Sequence, residues 1–161
     1  MDIKTKEDAK YGDWVIERLI PEDDEVKLEG IIDNHTHGLE KYGLKNLAMF
    51  LKLDVDETEL IMDSIAWLMI QGETFDTEHK QYLEFADGSV YDFFLDEIKW
   101  HGEDVLRIIL SDPECKFYPI DGEVTEEKLP YIYQQLSPTI LARVFDPLYD
   151  SKNEQYVGCD T

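Results

Sequence analysis

The sequence predicts an α+β fold, in which a largely antiparallel sheet of five or six strands is covered by one long apolar helix and by short C-terminal helices. Two runs of alternating polar and apolar residues flank the turn pair Asp87-Gly88, and residues 54–71 combine helix caps with a high apolar content. Strands and helices do not alternate regularly, as they would in a parallel α/β fold. The chain has 161 residues, of which 43% are hydrophobic, so it can bury the core of one domain.

Three strands are predicted in the first third of the chain, at residues 14–20, 31–39 and 46–51. An acidic turn at residues 21–25 separates the first strand from the second. The connection between the second and third strands is short and contains Gly43, which predicts that these two strands pair in antiparallel fashion.

A helix is predicted over residues 54–71. Asp54 or Asp56 is a suitable N-cap, and Gly72 is a natural stop after the last turn. Apolar side chains cover more than one face of this helix, which favours burial on both sides. The alternative is burial on one side, with the other side used as an interface, so a homodimer remains open.

The second half of the chain predicts a hairpin at residues 78–86 and 89–98, and a further strand at residues 104–110. A loop rich in proline and glycine follows, and residues 129–145 predict one or two short helices. The predicted single domain spans residues 11–149, with flexible termini at residues 1–10 and 150–161.

The strongest compositional feature is acidity, with 37 acidic residues against 15 basic ones and a net charge of −22. This balance excludes ordinary binding to nucleic-acid phosphates and disfavours binding to anionic membranes. It favours a non-catalytic interaction protein that binds a basic protein partner, with Asp23, Asp24 and Glu25 as candidate partner-binding residues. In a competing interpretation, the acidity only keeps the protein soluble.

A cytoplasmic location is expected, because the two cysteines, Cys115 and Cys159, do not form a disulfide framework. The first ten residues are charged, so no signal peptide is expected. The longest apolar run, residues 65–70, is too short for a membrane span. No cofactor motif is present.

The segment Asp33-Asn34-His35-Thr36-His37 carries the one pattern that suggests metal chemistry. Side chains at positions i and i+2 of a strand lie on one face, so His35 and His37 could hold one ion, and Asp33 is a further candidate metal residue in this interpretation. A hydrolytic centre needs at least three protein ligands. His79 and His101 are the only other histidines, and His101 is expected to be a surface residue.

The expectation is therefore that His35 and His37 hold no stoichiometric catalytic metal, and no catalytic residue is assigned. A metal-dependent hydrolase using His35 and His37 is the alternative function, so the sequence leaves the question of an enzyme open and favours a non-catalytic role. A third ligand that converges on the same strand face would distinguish the two.

Several short motifs are spread over about residues 11–136: Tyr11-Gly12-x-Trp14-x-Ile16, Thr36-His37-Gly38-Leu39, Gly43 with Leu47, Leu106 to Asp112 (LRIILSD), and Phe117-x-Pro119. Together they resemble the bacterial family known as domain of unknown function 4262. The resemblance implies a small bacterial α+β domain with no established activity.

The sequence departs from the family pattern at two places. The family has a tyrosine and an aliphatic residue where this chain has His35 and His37, and it has His-Pro-Glu where this chain has Leu44-Lys45-Asn46. A metal site at His35 and His37 would thus be particular to this chain. If the family uses its own histidine and glutamate chemically, this chain lacks both.

Overall fold

A computed structural model of the protein describes residues 3–19 and 29–145. The prediction of an α+β fold is confirmed for these residues, which form a six-stranded sheet and three α-helices. The strands are β1 (Val15–Leu19), β2 (Ile31–His37), β3 (Asn46–Leu51), β4 (Gln81–Glu84), β5 (Val90–Trp100) and β6 (Glu103–Leu110). The helices are α1 (Val55–Ile70), α2 (Leu129–Tyr133) and α3 (Pro138–Phe145), with 3-10 turns at Lys6–Asp8, Leu39–Tyr42 and Glu126–Lys128.

The sheet is mixed, with the strand order β1-β2-β3-β6-β5-β4. Four neighbouring pairs are antiparallel, but β3 and β6 at the centre are parallel. The sheet is therefore mixed and not purely antiparallel, although four of its five strand pairs are antiparallel, as the prediction of a largely antiparallel sheet expects. The connection from β3 to β6 contains α1 and the β4–β5 hairpin, and it is long enough for β6 to return beside β3 in the same direction.

Helix α1 is 16 residues long and is capped by Asp54, whose side chain accepts a hydrogen bond of 2.7 Å from the backbone N–H of Glu57. The helix lies where residues 54–71 predict it, but one long apolar helix buried on both sides is not shown. One face packs on the sheet, while Leu60 on another face is 43% exposed. The buried residues of α1 are Thr58, Ile61, Met62, Ile65, Ala66 and Ile70.

The opposite face of the sheet carries a second apolar cluster, which includes Phe50, Trp100 and Leu141. Helix α3 covers this face, and the aromatic rings of Phe50 and Trp100 meet edge to face at 4.8 Å. The side chains of the candidate site lie on this second face.

Within residues 3–19 and 29–145, no helix has both the length and the apolar character needed to cross a membrane. The candidate partner-binding residues Asp23, Asp24 and Glu25 lie outside the described residues, and so does the predicted C-terminal tail at residues 150–161.

Candidate metal centre

Strand β2 places Asp33, His35 and His37 on one face of the sheet, as the two-residue repeat of a strand requires. Strand β1 pairs antiparallel with β2, and its Glu17 stands opposite His35 in the register. Residues that are opposite each other in such a pair share a face, so Glu17 joins the two histidines. The pairing of β2 with β3 is irregular between Ile31 and Asn34, and Asp33 lies in this β-bulge.

Glu17, His35 and His37 form a compact group of three possible ligands. Glu17 Oε1 lies 3.1 Å from His35 Nε2 and 2.8 Å from His37 Nε2. One ligand atom from each residue falls within 4.8 Å of the others. The side chains of His37 and Glu17 are 28% and 22% exposed, whereas His35 is buried, so the group opens towards solvent on one side.

Asp33 lies behind this group and is fully buried. Its Oδ1 is 2.8 Å from His35 Nδ1, and its Oδ2 is 3.0 Å from His101 Nε2. The indole N–H of Trp100 donates a further hydrogen bond of 3.0 Å to Oδ2. Burial raises the pKa of Asp33, but the hydrogen bonds from His101 and His35 outweigh this effect and hold the pKa below its ordinary value.

His35 therefore lies between two carboxylates, with Asp33 at Nδ1 and Glu17 at Nε2. Burial lowers the pKa of His35, but the hydrogen bonds and negative charges of Asp33 and Glu17 outweigh burial and raise the pKa. In the absence of an ion, this arrangement favours the charged imidazolium. A metal ion at Nε2 would take the place of the proton that faces Glu17.

His101 reaches the group from the two-residue turn between β5 and β6. Both turn residues, His101 and Gly102, have positive φ angles of 51° and 80°, as a type I′ turn requires. A positive φ is uncommon for residues other than glycine, and glycine, asparagine or aspartate is usual at the first position of this turn. The expectation that His101 is a surface residue is wrong, since its side chain is only 14% exposed and contacts Asp33.

A further carboxylate, that of Glu40, adds negative charge near His37. Glu40 Oε1 accepts hydrogen bonds of 2.9 Å from Asn46 Nδ2 and from the backbone N–H of Gly38. Burial raises the pKa of Glu40, but the hydrogen bond from Asn46, the backbone donors and the charge of His37 lower it below its ordinary value. The surroundings of the two histidines thus favour a cation.

Sequence reasoning found His35, His37 and Asp33, and the structure brings all three together. It missed Glu17 and His101. The signal for Glu17 was its place in the middle of the strand that precedes β2. The signal for His101 was the pair His101-Gly102 between two predicted strands, which is the length of a tight hairpin turn. His79 lies apart from the group, in an exposed contact with Asp76.

Two imidazole nitrogens and one carboxylate oxygen are a ligand set that proteins use for Zn²⁺ and for non-haem Fe²⁺. Such a set leaves at least one coordination position for water. A second group of three, made of Asp33, His35 and His101, also lies within 4.8 Å. Its atoms are more deeply buried, and His35 is common to both groups.

A cavity of about 200 Å³ lies beside this group and is lined in part by Trp100, His101 and Thr139. His101 is the member of the group that lines this cavity.

The comparisons with known proteins found no matching family model, no matching curated protein and no matching solved structure. The resemblance to domain of unknown function 4262 therefore stays a prediction that depends on its short motifs.

Proposed function

We propose that the protein binds one divalent transition-metal ion through Glu17, His35 and His37. The observation that carries the proposal is the convergence of three ligand atoms, from two neighbouring strands, within 4.8 Å on one face of the sheet. The third ligand that distinguishes a metal site from a surface histidine pair is Glu17. The proposal replaces the expectation that the two histidines hold no stoichiometric metal.

The electrostatic surroundings support this function. The buried Asp33 and the neighbouring Glu40 both have lowered pKa values, so both are ionised near neutral pH. Together with Glu17 they add negative charge close to the two imidazoles, and the chain as a whole carries −22. A borderline ion such as Zn²⁺ suits two imidazoles and one carboxylate.

Hydrolysis is the reaction that such a centre would support. An ion held by three protein ligands keeps a position for water, and Zn²⁺ lowers the pKa of bound water to about 7. Hydrolysis is proposed in addition to ion binding, because it needs a substrate as well as an ion.

The experiment is a titration of chelator-treated protein with Zn²⁺ by calorimetry, with elemental analysis of the purified protein before chelation. We expect one ion per chain. His37→Ala removes one of three ligands and is expected to weaken binding at least 100-fold. His79→Ala is the matched control, because His79 is a histidine with a 73% exposed side chain outside the group.

Circular dichroism of both variants checks that the fold is retained. If the wild type takes up no Zn²⁺, the proposal is wrong. The proposal is equally wrong if His37→Ala binds Zn²⁺ as tightly as the wild type and the His79→Ala control do.

A second candidate function is binding of a basic protein, as the net charge suggests. The observation that favours it is a surface groove of about 810 Å³ whose lining includes three acidic residues together with Pro130 and Tyr133. The acidic residues are Glu29, Glu126 and Glu127. Carboxylates beside an apolar and aromatic surface fit a segment that combines lysine or arginine with apolar side chains.

The test of this second candidate uses a native partner captured from cell extract. The association rate is expected to fall at least tenfold between 0.1 and 1 M salt, because the Debye length falls from about 10 Å to about 3 Å. Charge reversal at Glu126 and Glu127, or at Asp23, Asp24 and Glu25, is expected to slow association further. A neutral or acidic partner with a salt-independent rate would contradict the electrostatic interpretation.

A further inference from the structure

We propose that Asp33 is a positioning residue, which orients His35 for the ion and does not itself bind it. His101 and Trp100 in turn hold Asp33. This inference rests on the proposed metal function and deepens it, because it decides on which side of His35 the ion lies and how many ions the centre holds.

Both oxygens of the Asp33 carboxylate already have hydrogen-bond partners. Its Oδ1 faces His35 Nδ1 at 2.8 Å, and its Oδ2 faces His101 Nε2 and Trp100 Nε1, each at 3.0 Å. An indole N–H is a donor only and keeps its proton, so Trp100 directs the positive end of its N–H dipole at Asp33 Oδ2. A cation at this oxygen would meet that dipole inside a fully buried site.

The position of Asp33 also fixes the use of the two nitrogens of His35. A carboxylate at Nδ1 keeps the proton on that nitrogen, so Nε2 is the nitrogen that coordinates an ion. Nε2 is the atom that faces Glu17, with His37 Nε2 at the other side of the same carboxylate oxygen. The carboxylate–imidazole–ion sequence is a common way in which proteins orient a histidine ligand and strengthen it.

The competing arrangement uses the second group of three, Asp33, His35 and His101, as a second ion site. His35 would then bridge two ions through its two nitrogens. The two arrangements differ in the number of ions per chain and in whether His35 Nδ1 carries a proton or an ion. Both of these properties can be measured directly.

The first experiment uses wild-type protein labelled with ¹⁵N and loaded with Zn²⁺. Long-range proton–nitrogen NMR correlations report which histidine nitrogens carry a proton and which carry an ion. We expect His35 to be protonated at Nδ1 and metallated at Nε2, with one Zn²⁺ per chain. Metallation at Nδ1, or two ions per chain, would overturn the inference while leaving metal binding intact. Absence of any bound Zn²⁺ would instead overturn both the proposed function and this inference.

The second experiment compares Asp33→Asn with His101→Asn, using Co²⁺ as a coloured probe of coordination. Asparagine retains an acceptor at position 33, and it suits the positive φ of position 101. We expect Asp33→Asn to bind one Co²⁺ 10- to 100-fold more weakly, with the visible spectrum unchanged. We expect a smaller loss for His101→Asn, since it removes one of the contacts that hold Asp33.

A changed visible spectrum, or complete loss of binding, in a folded Asp33→Asn variant would identify Asp33 as a ligand and refute its positioning role. A changed spectrum in His101→Asn would do the same for His101. If Asp33→Asn does not fold, the NMR result on the wild type and the His101→Asn variant still decide the question.

Discussion

Asp112 holds the long loop after β6 against the domain, and its replacement by asparagine is expected to destabilise the protein. The side chain of Asp112 is fully buried. Its Oδ1 accepts hydrogen bonds of 2.9 Å from the backbone N–H groups of Glu114 and Lys116. Its Oδ2 accepts a hydrogen bond of 2.6 Å from Tyr118 Oη and one of 3.2 Å from Lys128 Nζ.

Asparagine replaces one of these oxygens with an NH₂ group, so two of the four donors lose their acceptor in either orientation of the amide. A hydrogen bond to a charged group contributes about 1.5–3 kcal/mol, and a half-exposed ion pair contributes at most about 1 kcal/mol. Asp112→Asn is therefore expected to lower the free energy of unfolding by about 2–4 kcal/mol at pH 7. Urea unfolding of wild type and variant measures this difference.

The same difference is expected to shrink in acid. Burial raises the pKa of Asp112, but the hydrogen bonds from Tyr118, the backbone and Lys128 lower it to about 2, from 3.8. Because the pKa in the folded state is lower than in the unfolded state, the stabilisation is complete above pH 3.8 and is lost as the pH falls towards 2. Asp121→Asn, an exposed substitution in the same loop, is the control and should cost less than about 0.5 kcal/mol. A loss below about 1 kcal/mol for Asp112→Asn, or a loss that does not depend on pH, would refute this reasoning.

Two further substitutions test the packing. Ile65→Ala on the buried face of α1 is expected to lower the free energy of unfolding by about 2–5 kcal/mol, because Ile65 is fully buried, whereas Leu60→Ala on the exposed face should cost less than about 1 kcal/mol. Equal effects of the two in urea unfolding would mean that the buried face is assigned wrongly. Gly30→Ala would place a Cβ 2.3 Å from Pro130 Cγ at a φ of +81°, so it combines backbone strain of about 1–3 kcal/mol with a clash of about 1–3 kcal/mol. Gly88→Ala has a similar φ of +90° and nothing near its Cβ, so it should show the strain alone; a Gly30→Ala variant no less stable than Gly88→Ala would contradict the clash.

Local signals in the sequence predicted the elements that local interactions define. Asp54 marks the start of α1 through a side-chain cap, and Gly88 adopts the positive φ that the turn between β4 and β5 requires. These features depend on residues that are close in sequence, so the sequence reveals them directly.

The pairing of strands that are far apart in the sequence could not be predicted from such local signals. Nothing in the composition of β3 and β6 marks them as partners, because the choice depends on how α1 and the hairpin pack between them. The exposed face of α1 was also missed, since Leu60 has the same apolar character as its buried neighbours and only tertiary packing separates them.

The candidate site was predictable in part for the same reason. His35 and His37 share a strand, so their common face follows from the two-residue repeat. Glu17 is one of 37 acidic residues, and only the register between β1 and β2 distinguishes it from the rest. His101 is far from β2 in sequence, and its role depends on the turn that points it towards Asp33.

The parallel pairing of β3 with β6 has a consequence for the order in which the protein is built. The three proposed ion ligands lie on β1 and β2, which leave the ribosome before β5 and β6. The two residues that hold Asp33 follow 67 and 68 positions after it, and they reach it only when the two halves of the sheet have joined. A nascent chain that ends before Trp100 would thus contain all three proposed ion ligands but neither of the residues that hold Asp33. If the proposed ion site exists, tight retention of an ion is expected to begin only after the central strands have paired, and binding to the nascent chain would be weaker.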